Sequence, residues 1–409
     1  MSYRGEYMSK VIVVGAGASG MLASLSASLN NEVILLDGND KCGKKILVTG
    51  NGRCNYWNED INISKYYTDD TNALENIISS QNQNEVMEYL TRLGIYPKIK
   101  NGYYYPNSNM ASSVREILLR ELKNRKVKIV NNFKVKDISY NNNEFIVKSN
   151  TNEILKSDKV ILATGSYAAS KTGCDGSGYK FAKNFGHTIN LVTPALAPLI
   201  VNEKFLKDLK GVRVDVKLSL YVNKIKIKEE IGELQLTDSG ISGICTFNVS
   251  SIASKNLNLG NSVEVKINFL PYIDSNVYDW MCKRNKLVKN HTISELLESV
   301  INYKLANVIL KRAKINPQYK FDELTNVEKL TLCNMIEEFS LKIDDVASFD
   351  KAQVCTGGVS LKEINYNTME SSIITNLYIV GEVLDVDGIC GGYNLAFAFI
   401  SGYLAGKGC

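Results

Sequence analysis

The sequence predicts an α/β protein in which one parallel-sheet domain is interrupted by a β-rich module and a small helical module. Three observations carry that reading. Apolar runs at 11–14 and 33–36 flank a glycine-spaced turn and a helix-compatible segment, 21–29, giving strand, turn, helix, strand. After Pro194 and Pro198 the pattern shifts to apolar–polar alternation, as in KLSLYVNKIKIKEEIGELQLTD, which marks antiparallel strands with one buried face. Glycine-rich strand-to-helix blocks then return at the far end of the chain. The first domain is therefore expected to span 1–193 and 345–409, with the β-rich module at 194–270 and the helical module at 271–344.

The opening block, VIVVGAGASGMLASLSASLNNEVILLD, sets the chemistry. Gly15, Gly17 and Gly20 have the G-x-G-x-x-G spacing between strand and helix, the order a Rossmann-type dinucleotide site requires. Gly15 allows a tight turn, Gly17 lets backbone N–H groups approach a pyrophosphate, and Gly20 lets the helix pack closely on the strand. Ala18 and Ser19 then open the helix, whose first N–H groups and positive dipole end favour phosphate. The second strand closes on Asp37 and Gly38, about 20 residues after the turn, where a carboxylate accepts both ribose hydroxyls. A carboxylate there repels a 2′-phosphate, which excludes NADP as the nucleotide held by this turn.

Length and composition bound the rest. A chain of 409 residues predicts two or three domains, and 44% hydrophobic with 22% charged residues is ordinary for a globular protein. No apolar run approaches the roughly 18 residues of a membrane span, and MSYRGEYMSK lacks the apolar centre of a secretory signal. Residues before Lys10 read as a disordered leader, Met8 is an alternative start, and a cytoplasmic location is expected. The nine cysteines form no C-x-x-C pair and the histidines are His187 and His291 alone, which disfavours zinc, iron–sulfur and disulfide frameworks, so no metal site is expected. A net charge of +5 is mild and compatible with polyanion binding without pointing to it.

After Asp37 comes GNDKCGKKILVTGNGRCNYWN, in which Lys44, Lys45 and Arg53 sit among Gly43, Gly50 and Gly52 with Asn51 and Asn55. Such a loop either wraps a second part of an extended anionic cofactor or is a solvated basic loop. GKKILVTGNGRCN resembles the G-K-K-x-L-x-[ST]-G-x-G-R-C-N signature of the YhiN/BaiN-type FAD-dependent oxidoreductases, the aminoacetone oxidase family. The resemblance implies that this segment, including Lys45, Gly50, Asn51, Gly52, Arg53, Cys54 and Asn55, runs along FAD towards the flavin ring.

Further matches follow in the family's order. A helix is expected over 85–93, then GYYYPNSNMASSV leads into a helix over 114–123; its likeness to the family's aromatic-Pro-x-Ser-x-x-Ala-Ser segment implies approach to the flavin side, and its tyrosines are equally suited to packing. Short alternating runs from 127 to 160 read as a meander and a returning strand. The resemblance implies that main-chain groups near Val135 meet the adenine and that Ala163, Thr164 and Gly165 end the strand beside the cofactor. Ser166 stands where many members have glycine. KTGCDGSGYKFAKNFGH opens another helix without an apolar strand immediately before it, so no separate NAD(P) fingerprint is found; His187 is expected as a solvated or capping residue at that helix end. LTDSGISG resembles the family's turn before a short helix, with Asp238 where many relatives carry histidine.

In the helical stretch, Thr292 and Glu295 form a capping-box pattern, and Leu297, Ile301, Leu305 and Val308 one apolar face. Residues 281–314 carry a local net charge of +6, either a solvated face or a surface for nucleic acid. The last block, LYIVGEVLDVDGICGGYNLAFAFISGYLAG, ends a strand on Gly381 and Glu382 and opens a helix at Gly391, Gly392, Tyr393, Asn394 and Leu395. A second strand-to-helix N-terminus suits a cofactor with two ends, which favours FAD over NAD: the helix end stabilises negative charge on reduced flavin, and the carboxylate-bearing strand end faces the ribityl chain. The block matches the family's G-E-x-L-D-x-x-G-x-x-G-G-Y-N-x-x-x-A.

The expected activity is FAD-dependent oxidoreduction, with NAD(P)H as a transient donor and substrate entering between the insertion and the flavin face. Cys54, Cys390 and Tyr393 are the candidate proton donors, each also readable as a packing or cofactor-positioning residue. The resemblance implies a small-molecule substrate reduced at a C=C bond or, alternatively, a uridine of ribosomal RNA reduced to dihydrouridine. A flavin-binding interaction protein with structural FAD is the reading from a different class.

Overall fold

A computed structural model describes residues 8–288 and 290–409; of the leader expected before Lys10, residues 1–7 lie outside them, while Ser9 is already tied to the sheet, its carbonyl accepting from Glu32 N–H at 3.0 Å. The chain forms two compact units, Met1–Thr193 with Gln353–Cys409, and Pro194–Ala352.

The first unit is built on five parallel strands: β1 (Lys10–Val14), β2 (Glu32–Leu36), β3 (Lys128–Val130), β4 (Lys159–Leu162) and β5 (Leu377–Ile379), in the spatial order β5-β4-β1-β2-β3. Winding runs outward from β1 to β3, then restarts at β4 on the other side, so the crevice beyond the carboxyl ends of β1 and β4 is the topological switch point where such sheets take ligands. Val11, Ile12 and Val13 have no exposed surface, because a parallel sheet is covered on both faces; this is why the first strands read as continuous apolar runs.

Helix α1 (Ala18–Ala27) follows β1, and α2 (Tyr393–Gly408) ends the chain. They pack backbone to backbone: a Cβ on Gly402 would lie 2.3 Å from the Ser19 carbonyl oxygen and one on Gly406 2.3 Å from that of Ala23, so no larger residue fits there. Both contacts advance in the same chain direction, so the two helices run parallel and their N-termini face the same way. Gly402 is nine residues beyond the start of α2 and Ser19 one beyond the start of α1, which carries the N-terminus of α2 about 12 Å beyond that of α1.

Two three-stranded sheets accompany this frame. The meander Val135–Asn141, Glu144–Ser149 and Ile154–Ser157 is antiparallel. Trp57–Asn58, Tyr103–Pro106 and Pro97–Lys100 form a second antiparallel sheet. The helices expected at 85–93 and 114–123 are longer, Ser80–Arg92 and Ala111–Asn124.

The second unit holds a seven-stranded sheet, in spatial order Phe339–Ile343, Val263–Asn268, Arg213–Val222, Ile225–Thr237, Gly240–Ser242, Leu199–Ile200 and Asp345–Val346, antiparallel throughout. The expected division at 270 and 344 does not follow these units: Phe339–Ile343 pairs with Val263–Asn268, and residues 345–352 belong to the inserted unit. Strand pairing across more than 70 positions leaves no local mark. The turn at Gly243 opens not a short helix but Ile244–Asn258. The capping box at Thr292 and Glu295 forms, yet the apolar stripe it begins is shared by two helices, Ile293–Leu297 and Tyr303–Ala313, the second capped by Asn302; Leu297, Ile301, Leu305 and Val308 are all buried. Among the described residues, no helix is long and apolar enough to cross a membrane.

Candidate active site

The three glycines of the first turn have three separable jobs. Gly15 has φ +105°, and a Cβ there would lie 2.3 Å from the Ala163 carbonyl oxygen. A Cβ on Gly20 would lie 1.8 Å from the Gly15 carbonyl oxygen, whereas one on Gly17 would meet nothing within 4 Å. Gly15 and Gly20 are thus locked by protein backbone, and Gly17 opens the N-terminus of α1 to a ligand. Ala18 and Ser19 form the first turn, Ser19 also lying against Gly381.

Asp37 is buried at the end of β2. Its Oδ2 accepts from the Ala16 N–H at 2.8 Å, and its Oδ1 from the backbone and side-chain N–H groups of Asn39 at 2.8 and 2.9 Å. The carboxylate therefore fixes the glycine turn as well as presenting itself beside it. The Asp37 carbonyl accepts from Phe133 N–H at 2.9 Å, which brings the start of the Val135 strand beside Asp37, while Gly38 packs on Lys134.

Lys45, Ser166 and Glu382, distant in sequence, meet. Glu382 Oε2 lies 2.5 Å from Lys45 Nζ; its Oε1 accepts from Ser166 Oγ at 2.7 Å and from Cys355 N–H at 3.3 Å. Burial works against the Lys45 ammonium, but the Glu382 carboxylate outweighs it and holds the lysine pKa above its ordinary value. Ser166, fully buried, also accepts from the Ala168 N–H at 3.0 Å. Its hydroxyl has a structural use that glycine would lack, and the three blocks at 45, 163–166 and 381–382 are tied into one. Glu382, expected to face the ribityl chain, is first of all anchored to protein; Ser166 and Cys355 are the partners that sequence reading missed, and the serine in place of glycine was the available signal.

The loop 49–55 is held in unusual backbone: Gly50, Asn51, Gly52 and Cys54 all have positive φ. Arg53 is exposed, with its guanidinium 5.6 Å from the centroid of the Tyr105 ring. The Asn55 side-chain amide sits 3.1 Å from both the Trp57 and Tyr104 carbonyls, the placement that assigns its nitrogen to that side as donor to both. At the other end, Asn58 Nδ2 donates to Gly391 O at 2.9 Å, Tyr66 OH to Tyr393 O at 3.0 Å, and Asn394 Nδ2 to Gly388 O at 2.8 Å. A Cβ on Gly392 would lie 2.5 Å from the Trp57 carbonyl oxygen. These contacts seat the N-terminus of α2, with Leu395 against the core, on the loop that Lys45 begins.

The candidate proton donors separate. Protein atoms alone enclose Cys54 completely, and burial pushes its thiol up to about 11; with no surface for a substrate to touch, Cys54 is a packing residue. Cys390 is partly exposed. The Tyr393 phenol is pushed up to about 12 by burial, then by Asp60 and Tyr103, so it keeps its proton at neutral pH, and its ring meets Tyr66 edge-on at 5.8 Å. His187 is not a solvated cap: it is buried, with Nδ1 3.1 Å from Glu363 Oε2 and Nε2 2.8 Å from Ser371 Oγ.

The site fits a dinucleotide with two ends. Neither α1 nor α2 has a side-chain cap or an acidic residue in its first turn, so both present N–H groups and a positive dipole end outward. The sequence profile of the HI0933-like protein Rossmann domain matches residues 9–408. The chain belongs to this family. Its members are Rossmann-type flavoprotein oxidoreductases. The 3-dehydro-bile acid delta(4,6)-reductase of Clostridium scindens is 36% identical over 410 residues, 98% of each chain. The ribosomal RNA dihydrouridine synthase of Haemophilus influenzae is 25% identical over 406 residues, 97% of each. Among solved structures, a flavocytochrome c3 fumarate reductase in its open conformation superposes with a TM-score of 0.51 at 16% identity, over 98% of this chain and 78% of that one, a likeness of fold.

Proposed function

We propose that this chain is an FAD-dependent reductase that saturates a C=C bond of an apolar ring compound, with NAD(P)H as donor and the cytoplasm as its location. The observation that carries the reading is the pair of parallel, uncapped helix N-termini that face the same way; the relative named as a bile-acid reductase supplies the substrate class. When bound, FAD supplies two-electron chemistry, accepting hydride from a donor and delivering it to carbon.

The residues do the remainder. The N-terminus of α1 holds the diphosphate and Asp37 the ribose. The Lys45–Glu382–Ser166 group fixes the strand ends between them, and the N-terminus of α2 stabilises negative charge where the ring is reduced. Tyr393 keeps a proton available for the second carbon, with Cys390 as the other candidate. Purified protein is expected to be yellow, and Asp37→Ala to lose flavin on dialysis; a colourless protein that cannot be reconstituted would falsify the cofactor assignment.

A second reading has its own observation. The stretch 281–314 carries a local net charge of +6, and the relative from Haemophilus influenzae acts on ribosomal RNA. Deleting the gene and measuring dihydrouridine in ribosomal RNA by mass separates the two: an unchanged level supports the small-molecule reading, and loss of one dihydrouridine replaces it.

A further inference from the structure

The hairpin beside the Gly391 turn presents one face that combines half-buried tyrosines with exposed cations. Lys98 pairs opposite Tyr105 and Lys100 opposite Tyr103, while Asn58 pairs with Tyr103 from the other side. Residues opposite one another, and those two apart along a strand, share a face, so Asn58, Tyr103, Tyr105, Lys98 and Lys100 lie together. The Gly391 turn closes the Asn58 end, through the Asn58 hydrogen bond and a glycine whose added Cβ would lie 2.9 Å from the Tyr103 ring. Tyr105 stands one pleat further out, about 7 Å along the strand, with the Arg53 guanidinium over it. Arg53, Lys98 and Lys100 are exposed, and among the described residues none of them forms an ion pair.

We propose that this face reads the acidic end of the substrate: an apolar ring body lies on Tyr103 and Tyr105, and its carboxylate meets Lys98, Lys100 and Arg53. The proposal rests on the reading of the chain as a reductase of apolar ring compounds. Tyrosine faces offer a rigid apolar surface that also holds a guanidinium, and three exposed cations engaged in no ion pair among the described residues attract an anion and give it charge-assisted hydrogen bonds. The face is two residues deep on each strand, which suits one ring body with one anion. A nucleic-acid strand needs a track of cations along successive phosphates.

The test measures binding without turnover. A saturated steroid carboxylate and its neutral methyl ester are titrated by calorimetry into flavin-loaded protein, wild type and Lys98→Ser/Lys100→Ser. The wild type is expected to bind the acid about tenfold tighter than the ester. The double variant, altered only at exposed positions, is expected to lose that preference while keeping its ester affinity and melting temperature. Retained preference in the variant, or none in the wild type, overturns the proposal; so does a uridine-containing RNA strand that binds the wild type, fails on the variant and leaves acid binding equal in both. An unsaturated ring ketone that leaves reduced flavin unoxidised overturns the reductase reading instead, whatever the binding result.

Discussion

The glycine turn at the head of the chain and the Lys45–Ser166–Glu382 group hold the same crevice by opposite means. In the turn, backbone meets backbone: added Cβ atoms at Gly15 and Gly20 would lie 2.3 and 1.8 Å from carbonyl oxygens, and no neighbour can yield. In the group, a lysine, a serine and a glutamate meet through flexible side chains at 2.5 and 2.7 Å. The turn therefore fixes where the crevice is, and the group sets how its charge is arranged. Substitutions should fail abruptly in the first region and by degrees in the second.

The largest effect is expected from Gly20→Ala. Displacing the Gly15 carbonyl should cost about 3 kcal/mol and yield flavin-free protein, read by denaturant melts and absorbance. Gly17→Ala sharpens the point inside the same turn. Its φ is −79° and its added Cβ meets nothing within 4 Å, so stability should stay within about 0.5 kcal/mol of wild type while flavin affinity falls. Equal destabilisation by both variants would break the division of labour among the glycines.

Next comes Glu382→Gln, which leaves the Lys45 ammonium without its counter-charge in a largely buried setting and should cost about 2 kcal/mol. Replacing both partners, Lys45→Met with Glu382→Leu, should recover most of that loss, because no uncompensated charge remains. A double variant as unstable as the single one would show that the ion pair is not the coupling. Ser166→Gly, which removes one of the hydrogen bonds to Glu382, should cost about 1 kcal/mol and shift flavin affinity less than Glu382→Gln does.

His187 supplies the smallest effect, outside the crevice. Burial, opposed by the Glu363 carboxylate, lowers its pKa below the ordinary value. The unfolded chain thus takes up the proton first as pH falls. The stability His187 contributes is fully present above about pH 6.5 and is lost as pH drops towards its lowered folded value. His187→Gln should flatten stability between pH 7 and about 5 relative to wild type; an unchanged slope would remove this role.

The parallel sheet and both helix N-termini were legible in the sequence because glycine spacing, apolar runs and the closing acid at Asp37 are local signals. Contacts between distant blocks were not. Ser166 and Cys355 reach Glu382 only once β4 and β5 pair, and Phe339–Ile343 becomes a strand only through Val263–Asn268. The burial of His187 depended likewise on Glu363 and Ser371 arriving from the far end of the chain. Cys54 illustrates the converse: its place in a flavin-facing motif marked it as a candidate acid, and the positive φ of its loop turned it into the interior.

The most direct measurement is anaerobic. Protein carrying reduced flavin is mixed with a steroid acid bearing a 3-oxo group conjugated to ring double bonds, and flavin absorbance is followed alongside product mass. The proposed function predicts one flavin reoxidised for each double bond saturated. Flavin that stays reduced with the steroid acid, but is reoxidised by unmodified ribosomal RNA with formation of dihydrouridine, would contradict it.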